Sequence, residues 1–262
     1  MDSGDWPAVL REAAENIYSA VSQARRRGVG LEPRDLKHLL DDAAQRSLVE
    51  TLERLSVHAN LVSEEGNVTI LGGGHTVIAD PIDGTTNISR GLRPAVACLS
   101  VSSNGFLSGT LAGVVKDLYT GDTYTAEAGR GARLNGEPIR VSPPRQAKAS
   151  LISMDITKTP KLDRVTPLLN TCRYLRMLGS SATELSLISS GVLDAHIDIR
   201  GTLRATDVAA ALLILAEAGG TYAVGGEAGG DFPLTREATM ELVAASNRPL
   251  LDELLALTRQ PA

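Results

Sequence analysis

The chain has 262 residues, of which 43% are apolar and 22% are charged, proportions that are ordinary for a soluble globular protein. Its net charge of −5 argues against nucleic acid and anionic membranes as partners, and no apolar run approaches the ~20 residues of a membrane span. The two cysteines, Cys98 and Cys172, have neither a paired motif nor metal-ligand spacing, which predicts inert thiols in a reducing cytoplasm.

The first part of the chain combines helices with short strands. Apolar residues recur at helical spacing over residues 6–27 and again over residues 35–55. Two short apolar strands follow, at 61–63 and 77–79, and each ends at an acidic residue. Turn residues then separate three segments that we expect to form antiparallel strands, at 95–101, 107–115 and 118–126.

Beyond a pair of prolines at 143 and 144, strands and helices alternate. The predicted strands are 151–154, 173–178, 193–199, 221–224 and 241–245. The predicted helices are 160–170, 182–190, 206–218 and a closing helix from Pro249. This alternation favours a layered α/β arrangement. We therefore expect an α+β half over residues 1–144, which carries most of the acidic site residues, and an α/β half over residues 145–262.

The sequence DPIDGTTN at residues 80–87 is the clearest functional signal. It puts Asp80 and Asp83 on one proline-stiffened turn, and a Gly-Thr-Thr segment follows whose N–H groups and hydroxyls can face an anion. Hard divalent cations require clustered oxygen ligands, and phosphate binds N–H donors at the start of a helix. Further ligands are available in Glu64, at the end of a strand, and in Asp207, which opens a strongly apolar helix.

Taken one at a time, these residues also have structural interpretations. An isolated Asp-Pro-x-Asp-Gly segment is more often a turn than a metal site. An aspartate in the first turn of a helix, such as Asp207, commonly caps N–H groups and complements the helix dipole.

Together the motifs resemble those of the inositol monophosphatase / fructose-1,6-bisphosphatase superfamily of metal-dependent phosphatases, and most closely its archaeal dual-activity branch. The segments that carry the resemblance are residues 63–65, 80–87, 129–136, 176–181, 207–210 and 217–220. It implies a layered α-β-α-β-α sandwich of the sugar-phosphatase type, in the α/β class, with the site in a cleft between the two halves. It also implies a homodimer.

The resemblance implies a set of metal ligands. Glu64, Asp80 and the Ile82 carbonyl would hold a first Mg²⁺, and Asp80, Asp83 and Asp207 a second. Glu64 would also help to hold a weaker third ion. Inhibition by Li⁺ is expected because Li⁺ would occupy one of these positions.

The implied reaction is hydrolysis of a phosphomonoester by in-line attack of a metal-activated water. Gly84 and Thr85 would bind the phosphoryl oxygens through their N–H groups, and Glu64 or a Thr85–Asp41 pair would accept the proton of the water. The acidic residue that partners Thr85 is left open between Asp41 and its neighbour Asp42, because the surrounding segment departs from the family pattern.

The substrate is a small phosphorylated sugar or polyol by the same resemblance. Arg200 stands where animal-type inositol monophosphatases carry an acidic residue, and Arg204 where a histidine is common, as in archaeal members that hydrolyse both inositol 1-phosphate and fructose 1,6-bisphosphate. A guanidinium can bind a second phosphate through two hydrogen bonds. Arg200 could instead only pair with Asp198.

Four further residues complete the implied substrate site: Arg176, Ser181, Asp83 and Asp207. Arg176 has an equally good structural interpretation within its loop.

Two other functions remain. The first is a 3′-phosphoadenosine 5′-phosphate nucleotidase, which an aromatic content of 3% disfavours because little is left to stack on adenine. The second is a non-catalytic regulatory member of the family, which would require the loss of a ligand.

Overall fold

The computed structural model describes residues 5–159 and 161–259. Within these ranges there are seven α-helices: α1 (Trp6–Arg27), α2 (Pro33–Arg54), α3 (Thr85–Ser89), α4 (Leu162–Thr171), α5 (Ser181–Ser189), α6 (Ala205–Glu217) and α7 (Arg248–Arg259). None of the helices in these ranges is long and apolar enough to cross a membrane.

The strands form two sheets. The first sheet contains β1 (Ala59–Ser63), β2 (Val68–Ile70), β3 (His75–Asp83), β4 (Val96–Ser102), β5 (Thr110–Asp117), β6 (Thr123–Glu127), β7 (Ala132–Leu134) and β8 (Glu137–Pro138), in the order β2-β1-β3-β4-β5-β6-β7-β8. The second contains β9 (Leu151–Asp155), β10 (Tyr174–Arg176), β11 (Ala195–Arg204), β12 (Thr221–Val224), β13 (Glu227–Ala228) and β14 (Thr239–Ala245), in the order β10-β9-β11-β14-β12-β13. Both sheets are mixed, since β1 pairs parallel to β3 and β9 pairs parallel to β10 and β11.

Five layers result from the way these elements bury their apolar faces. Helices α1 and α2 cover one face of the first sheet, α5 and α6 lie between the two sheets, and α4 and α7 cover the far face of the second. Successive side chains of a strand point to opposite faces. In β3, Val77 therefore packs against the α1–α2 layer and Ile78 against the α5–α6 layer. The predicted fold class is confirmed.

Helix α6 is apolar on almost every side because it is buried between the sheets. It approaches the first sheet very closely at Gly113 of β5, where an added Cβ would lie 3.0 Å from the Cα of Ala210. Because position 113 has no side chain, α6 packs directly against the sheet. The start of the helix, with Asp207, then lies close to the ends of β1 and β3. Full burial of a side chain such as Leu212 contributes about 2 kcal/mol to the stability of this layer.

The strand predicted over residues 118–126 is too long. Asp117 Oδ1 accepts hydrogen bonds from the N–H groups of Tyr119 and Thr120, and Gly121 has φ +80°, so the chain makes a tight turn before β6 begins at Thr123. Residues 107–109 likewise form a short 3₁₀ turn, so that β5 starts three residues later than expected.

Strand β11 is longer than the predicted strand 193–199. It crosses an irregularity between Asp198 and Leu203 and continues to Arg204. The short strands β2, β7, β8 and β13 were not predicted. The helix expected over 160–170 begins at a residue outside the described ranges, and α4 starts at Leu162. The division into halves at residue 144 stays a prediction; the strands of the two sheets fall on either side of it.

Candidate active site

The DPIDGTTN segment forms the end of β3 and the start of α3. The pairing of β3 with β4 shifts between Asp80 and Asp83, and the Ile82 N–H donates to Asp80 Oδ1 at 2.9 Å. Gly84 has φ +96°, and a Cβ there would lie 2.8 Å from the Pro94 carbonyl oxygen. A side chain at this position would be strained and would clash, so glycine is required for the chain to turn from strand into helix.

Three carboxylates converge beside this turn. One oxygen each from Glu64, Asp80 and Asp207 lies within 4.8 Å of the other two. Glu64 follows the end of β1, Asp80 is buried within β3, and Asp207 is the third residue of α6. The predicted convergence of these residues from three separate parts of the chain is what the structure shows.

Electrostatics at this cluster favour a cation. Burial raises the pKa of Asp80 well above its usual value, and repulsion by Asp207 and Glu64 adds to the shift. Burial also raises the pKa of Asp207 to about 6, although a hydrogen bond with Thr206 opposes the change. Carboxylates held together in this way are destabilised until a positive charge joins them. A set of hard oxygen donors of this kind fits Mg²⁺.

Asp83 is held by residues at the start of α5, almost a hundred positions further along the chain. Its Oδ2 accepts hydrogen bonds from the Ser180 hydroxyl and from the Ala182 N–H, each at 2.8 Å. Ser180 is the N-cap of α5, and the predicted substrate residue Ser181 is buried at the first position of that helix. The bonds to Asp83 were not foreseen from the sequence.

The structure places Asp41, and not Asp42, beside Thr85. Asp41 is buried on α2, and burial raises its pKa to about 7, with repulsion from Glu65 as the next cause and a hydrogen bond with Thr85 opposing. The Thr85 hydroxyl also lies 2.9 Å from the Ile82 carbonyl oxygen, and its single proton is donated either to that oxygen or to Asp41. Asp42 is exposed and lines a different groove, between α1 and α2.

A cleft of about 490 Å³ lies over the acidic cluster and the turn at residues 82–86. Its lining includes the three-carboxylate cluster, residues 82–86, Thr157, Lys158, Gly179, Arg200, Thr202 and Arg204. Lys158 was not singled out from the sequence. It follows β9, is exposed, and has φ +58°; the only sequence signal for it is a polar Thr-Lys pair directly after a buried strand.

Arg200 lines the cleft and is at the same time held by acidic residues. Its Nε and Nη2 donate to the two oxygens of the buried Asp198 at 2.9 and 2.6 Å. Its Nη1 lies 2.9 Å from Asp155 Oδ2 and 3.1 Å from the Thr157 hydroxyl. The pairing with Asp198 that the sequence left open is therefore present, and most of the guanidinium donors are engaged.

Arg204 and Arg176 have different surroundings. Arg204 forms an ion pair with Glu64 at the acidic cluster. Arg176 is exposed on β10, and its Nη1 donates to the Leu175 carbonyl at 2.8 Å. In the described part of the chain, Arg176 does not line the cleft.

Carboxylates gathered for a hard cation, next to N–H groups that open a helix, suit the hydrolysis of phosphate esters. The class of protein that this fold and cleft define is a metal-dependent phosphatase. Its relatives narrow the class: the chain belongs to the inositol monophosphatase family, whose sequence profile matches residues 6–261.

Individual relatives cover nearly the whole chain. The fructose-1,6-bisphosphatase/inositol-1-monophosphatase of Thermococcus kodakarensis is 33% identical over 249 residues, which are 94% of this chain and 87% of the relative. Inositol monophosphatase 1 of Sus scrofa is 30% identical and covers 95% of this chain and 91% of its own. The solved structure of an inositol monophosphatase–fructose 1,6-bisphosphatase superposes with a TM-score of 0.81 at 26% identity, over 97% of this chain and 99% of the other.

These relationships confirm the family and the fold predicted from the motifs, and also the predicted activity as a phosphatase. The family depends on Mg²⁺ in general, and the acidic cluster of this chain has the composition that such an ion requires.

Proposed function

We propose that this phosphatase hydrolyses both inositol 1-phosphate and fructose 1,6-bisphosphate. The observation that carries the proposal is the cleft, in which the acidic cluster shares one space with three basic side chains, Lys158, Arg200 and Arg204. An acidic cluster with Mg²⁺ suits the phosphate that is cleaved, and the basic residues suit a second phosphate. The relative from Thermococcus kodakarensis, which carries both activities in its name, is consistent with this pairing.

We assign the metal ligands as follows. Glu64, Asp80 and the Ile82 carbonyl would hold one Mg²⁺, and Asp80, Asp83 and Asp207 a second, with Glu64 contributing to a weaker third. When bound, Mg²⁺ polarises the phosphoryl group and lowers the pKa of a coordinated water. Inhibition by Li⁺ belongs to the same proposal.

The chain's own groups orient the reaction. The N–H groups of Gly84 and Thr85 bind phosphoryl oxygens at the start of α3. The Thr85 hydroxyl positions the attacking water in line with the bond that breaks, and Asp41 accepts the proton. A carboxyl whose pKa is about 7 is well suited to accept a proton near neutral pH. Phosphoryl transfer depends mainly on positioning and on charge, so no covalent enzyme intermediate is expected.

The basic residues of the cleft set the substrate preference in this proposal. Lys158 is exposed, and no carboxylate of the described residues lies within ion-pair distance of it. It is therefore available to bind a second phosphate. The guanidinium of Arg200 is held in one orientation by Asp198 and Asp155, and it would contact a phosphate only through its remaining edge. Ser181 and Arg176 stay in the proposal as substrate residues, Ser181 with the better support because it adjoins the residues that bind Asp83.

The nucleotidase alternative has less support. The described residues that line the cleft include no aromatic side chain on which an adenine could stack. A non-catalytic role would be favoured by a missing ligand, and every ligand that the family resemblance implies is present.

A homodimer in the cytoplasm, with the halves divided at residue 144, completes the proposal; light scattering on the purified protein tests the dimer.

A phosphate-release assay with Mg²⁺ tests the substrate. It should compare inositol 1-phosphate, fructose 1,6-bisphosphate, 3′-phosphoadenosine 5′-phosphate and histidinol phosphate on the wild-type enzyme. We expect the two sugar phosphates to give the highest kcat/KM. The proposal is wrong if the nucleotide or histidinol phosphate exceeds both. Lys158→Gln should lower kcat/KM for the bisphosphate and leave inositol 1-phosphate nearly unchanged.

A further inference from the structure

The segment at residues 178–182, a short loop with the first two residues of α5, is held at both ends by the segment that contains Asp83. Asn87 Nδ2 donates to the Leu178 carbonyl at 2.8 Å. At the other end, the Ser180 hydroxyl and the Ala182 N–H bind Asp83 Oδ2 at 2.8 Å each. Asp83 and Asn87, four residues apart, therefore bind one five-residue segment that lies more than ninety positions further along the chain.

Asn87 is itself fixed in place. Its Nδ2 also donates to the Pro94 carbonyl at 3.0 Å, so both amide hydrogens are used. Gly179 lies directly against it: a Cβ at that position would be 3.5 Å from Asn87 Nδ2, and the glycine has φ +75°. A side chain would have room at this distance, so the positive φ is the feature that favours glycine at position 179.

Glu184 holds the same loop from the opposite side. The Leu178 N–H donates to Glu184 Oε1 at 2.9 Å, so that the carbonyl of Leu178 is bound by Asn87 and its N–H by Glu184. Glu184 is only 1% exposed, and its Oε2 lies 3.3 Å from His196 Nδ1, on β11 of the second sheet. Burial of a carboxylate costs free energy. At this position the Glu184 carboxylate has a structural role, because it binds the loop before α5.

We propose that Asn87 and Glu184 are positioning residues for the metal ligand Asp83. By holding Leu178 from two sides, they keep Ser180 and Ala182 where both can bind Asp83 Oδ2, which leaves Oδ1 directed to a cation. Groups that orient a metal ligand typically change metal affinity by about 10- to 100-fold when they are removed. The inference rests on the proposed role of Asp83 as a ligand of the second Mg²⁺.

The test measures the binding of Mg²⁺ alone to the substrate-free, full-length protein by calorimetry, together with thermal unfolding over a Mg²⁺ series. We expect Asn87→Ala and Glu184→Ala to weaken Mg²⁺ binding by about tenfold or more. Glu184→Gln keeps an acceptor for the Leu178 N–H and should restore most of the affinity. Ser189→Ala is the matched control, because the Ser189 hydroxyl is buried on the same helix and donates only to the Leu185 carbonyl.

A role limited to joining the two halves predicts a different result. In that case the alanine variants would unfold at lower temperature and bind Mg²⁺ as the wild type does, and the proposal would be overturned. Should an alanine variant not fold, Asn87→Leu and Glu184→Leu keep the side-chain volume and remove the hydrogen bonds; unchanged Mg²⁺ affinity in these also overturns the proposal.

Asp83→Asn separates this inference from the proposed function. Unchanged Mg²⁺ binding in Asp83→Asn would show that Asp83 is not a ligand, and the assigned ligand set would be wrong along with the inference. Weaker binding in Asp83→Asn with wild-type binding in the Asn87 and Glu184 variants would overturn only the positioning role.

Discussion

Arg204 and Glu64 form an ion pair that joins the end of β11 in the second sheet to the segment after β1 in the first. Glu64 is also a member of the three-carboxylate cluster, so a protein cation already lies at the position where the cluster favours a metal ion. Negative charge at Glu64 and Asp207 helps to raise the pKa of Arg204, although burial opposes the shift. With Glu64 as a ligand of Mg²⁺, as proposed, Arg204 and the ion would compete for its carboxylate.

Removal of this competitor should strengthen the binding of Mg²⁺. We expect Arg204→Gln to lower the Mg²⁺ concentration for half-maximal activity on inositol 1-phosphate by up to about fivefold, since an ion pair that is largely open to solvent is worth about 1 kcal/mol. Arg248→Gln is the control, because that arginine is exposed on α7, pairs with Asp252 and does not line the cleft. A higher Mg²⁺ requirement in Arg204→Gln would contradict this account.

Asp41 and its neighbour Asp42 provide a matched pair for the proton acceptor. Asp41→Asn should lower kcat by about 10²- to 10⁴-fold with little change in KM, because loss of a general base acts on the transition state. Asp42→Asn, on the exposed face of the same helix, should behave as the wild type. Steady-state kinetics on both variants test this prediction. An equal loss of kcat in the two variants, or a loss in Asp42→Asn alone, would exclude Asp41 as the base.

Much of the site follows from local sequence. A glycine after Asp83 and an aspartate before a long apolar run predict, respectively, a strand-to-helix turn and a helix start, and both are found at Gly84 and in α6. The turn needs a positive φ that glycine adopts freely, and the helix is set by its own periodicity. These features depend on neighbouring residues, which is why the sequence predicts them.

What the sequence did not predict depends on contacts between distant residues. The turn after Asp117 arises from side-chain hydrogen bonds that compete with the strand pattern. The pairing of Arg200 with Asp198 was one of the two possibilities that the sequence left open, but the contact of Arg200 with Asp155 on β9 was not predicted. The partners of Asp83 at the start of α5 were not predicted either. Several carboxylates could pair with each arginine as far as the sequence shows. Which of them does so depends on how the strands and helices pack.

Removal of Mg²⁺ should make the stability of the fold depend on pH. Without the ion, Asp207 and Asp41 have pKa values of about 6 and about 7, above the 3.8 of an unfolded aspartate. Between these values the folded state binds more protons than the unfolded state, so stability falls as pH rises from about 4 to about 7. Each pKa unit of such a shift corresponds to about 1.4 kcal/mol of stability, and the shifts at Asp207 and Asp41 act in the same direction.

Thermal unfolding in EDTA and in excess Mg²⁺ over this pH range measures the effect. We expect a fall in Tm with pH in EDTA, at about 2–4 °C per kcal/mol, and a smaller fall with Mg²⁺ because the ion favours the ionised carboxylates. Asp80→Asn removes repulsion and should melt higher than the wild type in EDTA, with no further gain from Mg²⁺. A Tm in EDTA that rises with pH through this window would refute the electrostatic account.

Arg200 should contribute to stability as well as to specificity. Asp198 is fully buried, and Arg200 neutralises it through two hydrogen bonds while also pairing with Asp155. Arg200→Met would leave the buried Asp198 carboxylate without a charged partner, bound among the described residues only by the backbone N–H of residue 200, and loss of the partner of a buried charge typically costs about 3–5 kcal/mol. Urea unfolding of Arg200→Met, Asp198→Asn and the double variant should show the double variant to be more stable than the sum of the two single losses predicts. Strict additivity would mean that the pairing of Arg200 with Asp198 does not stabilise the fold, and would contradict this prediction.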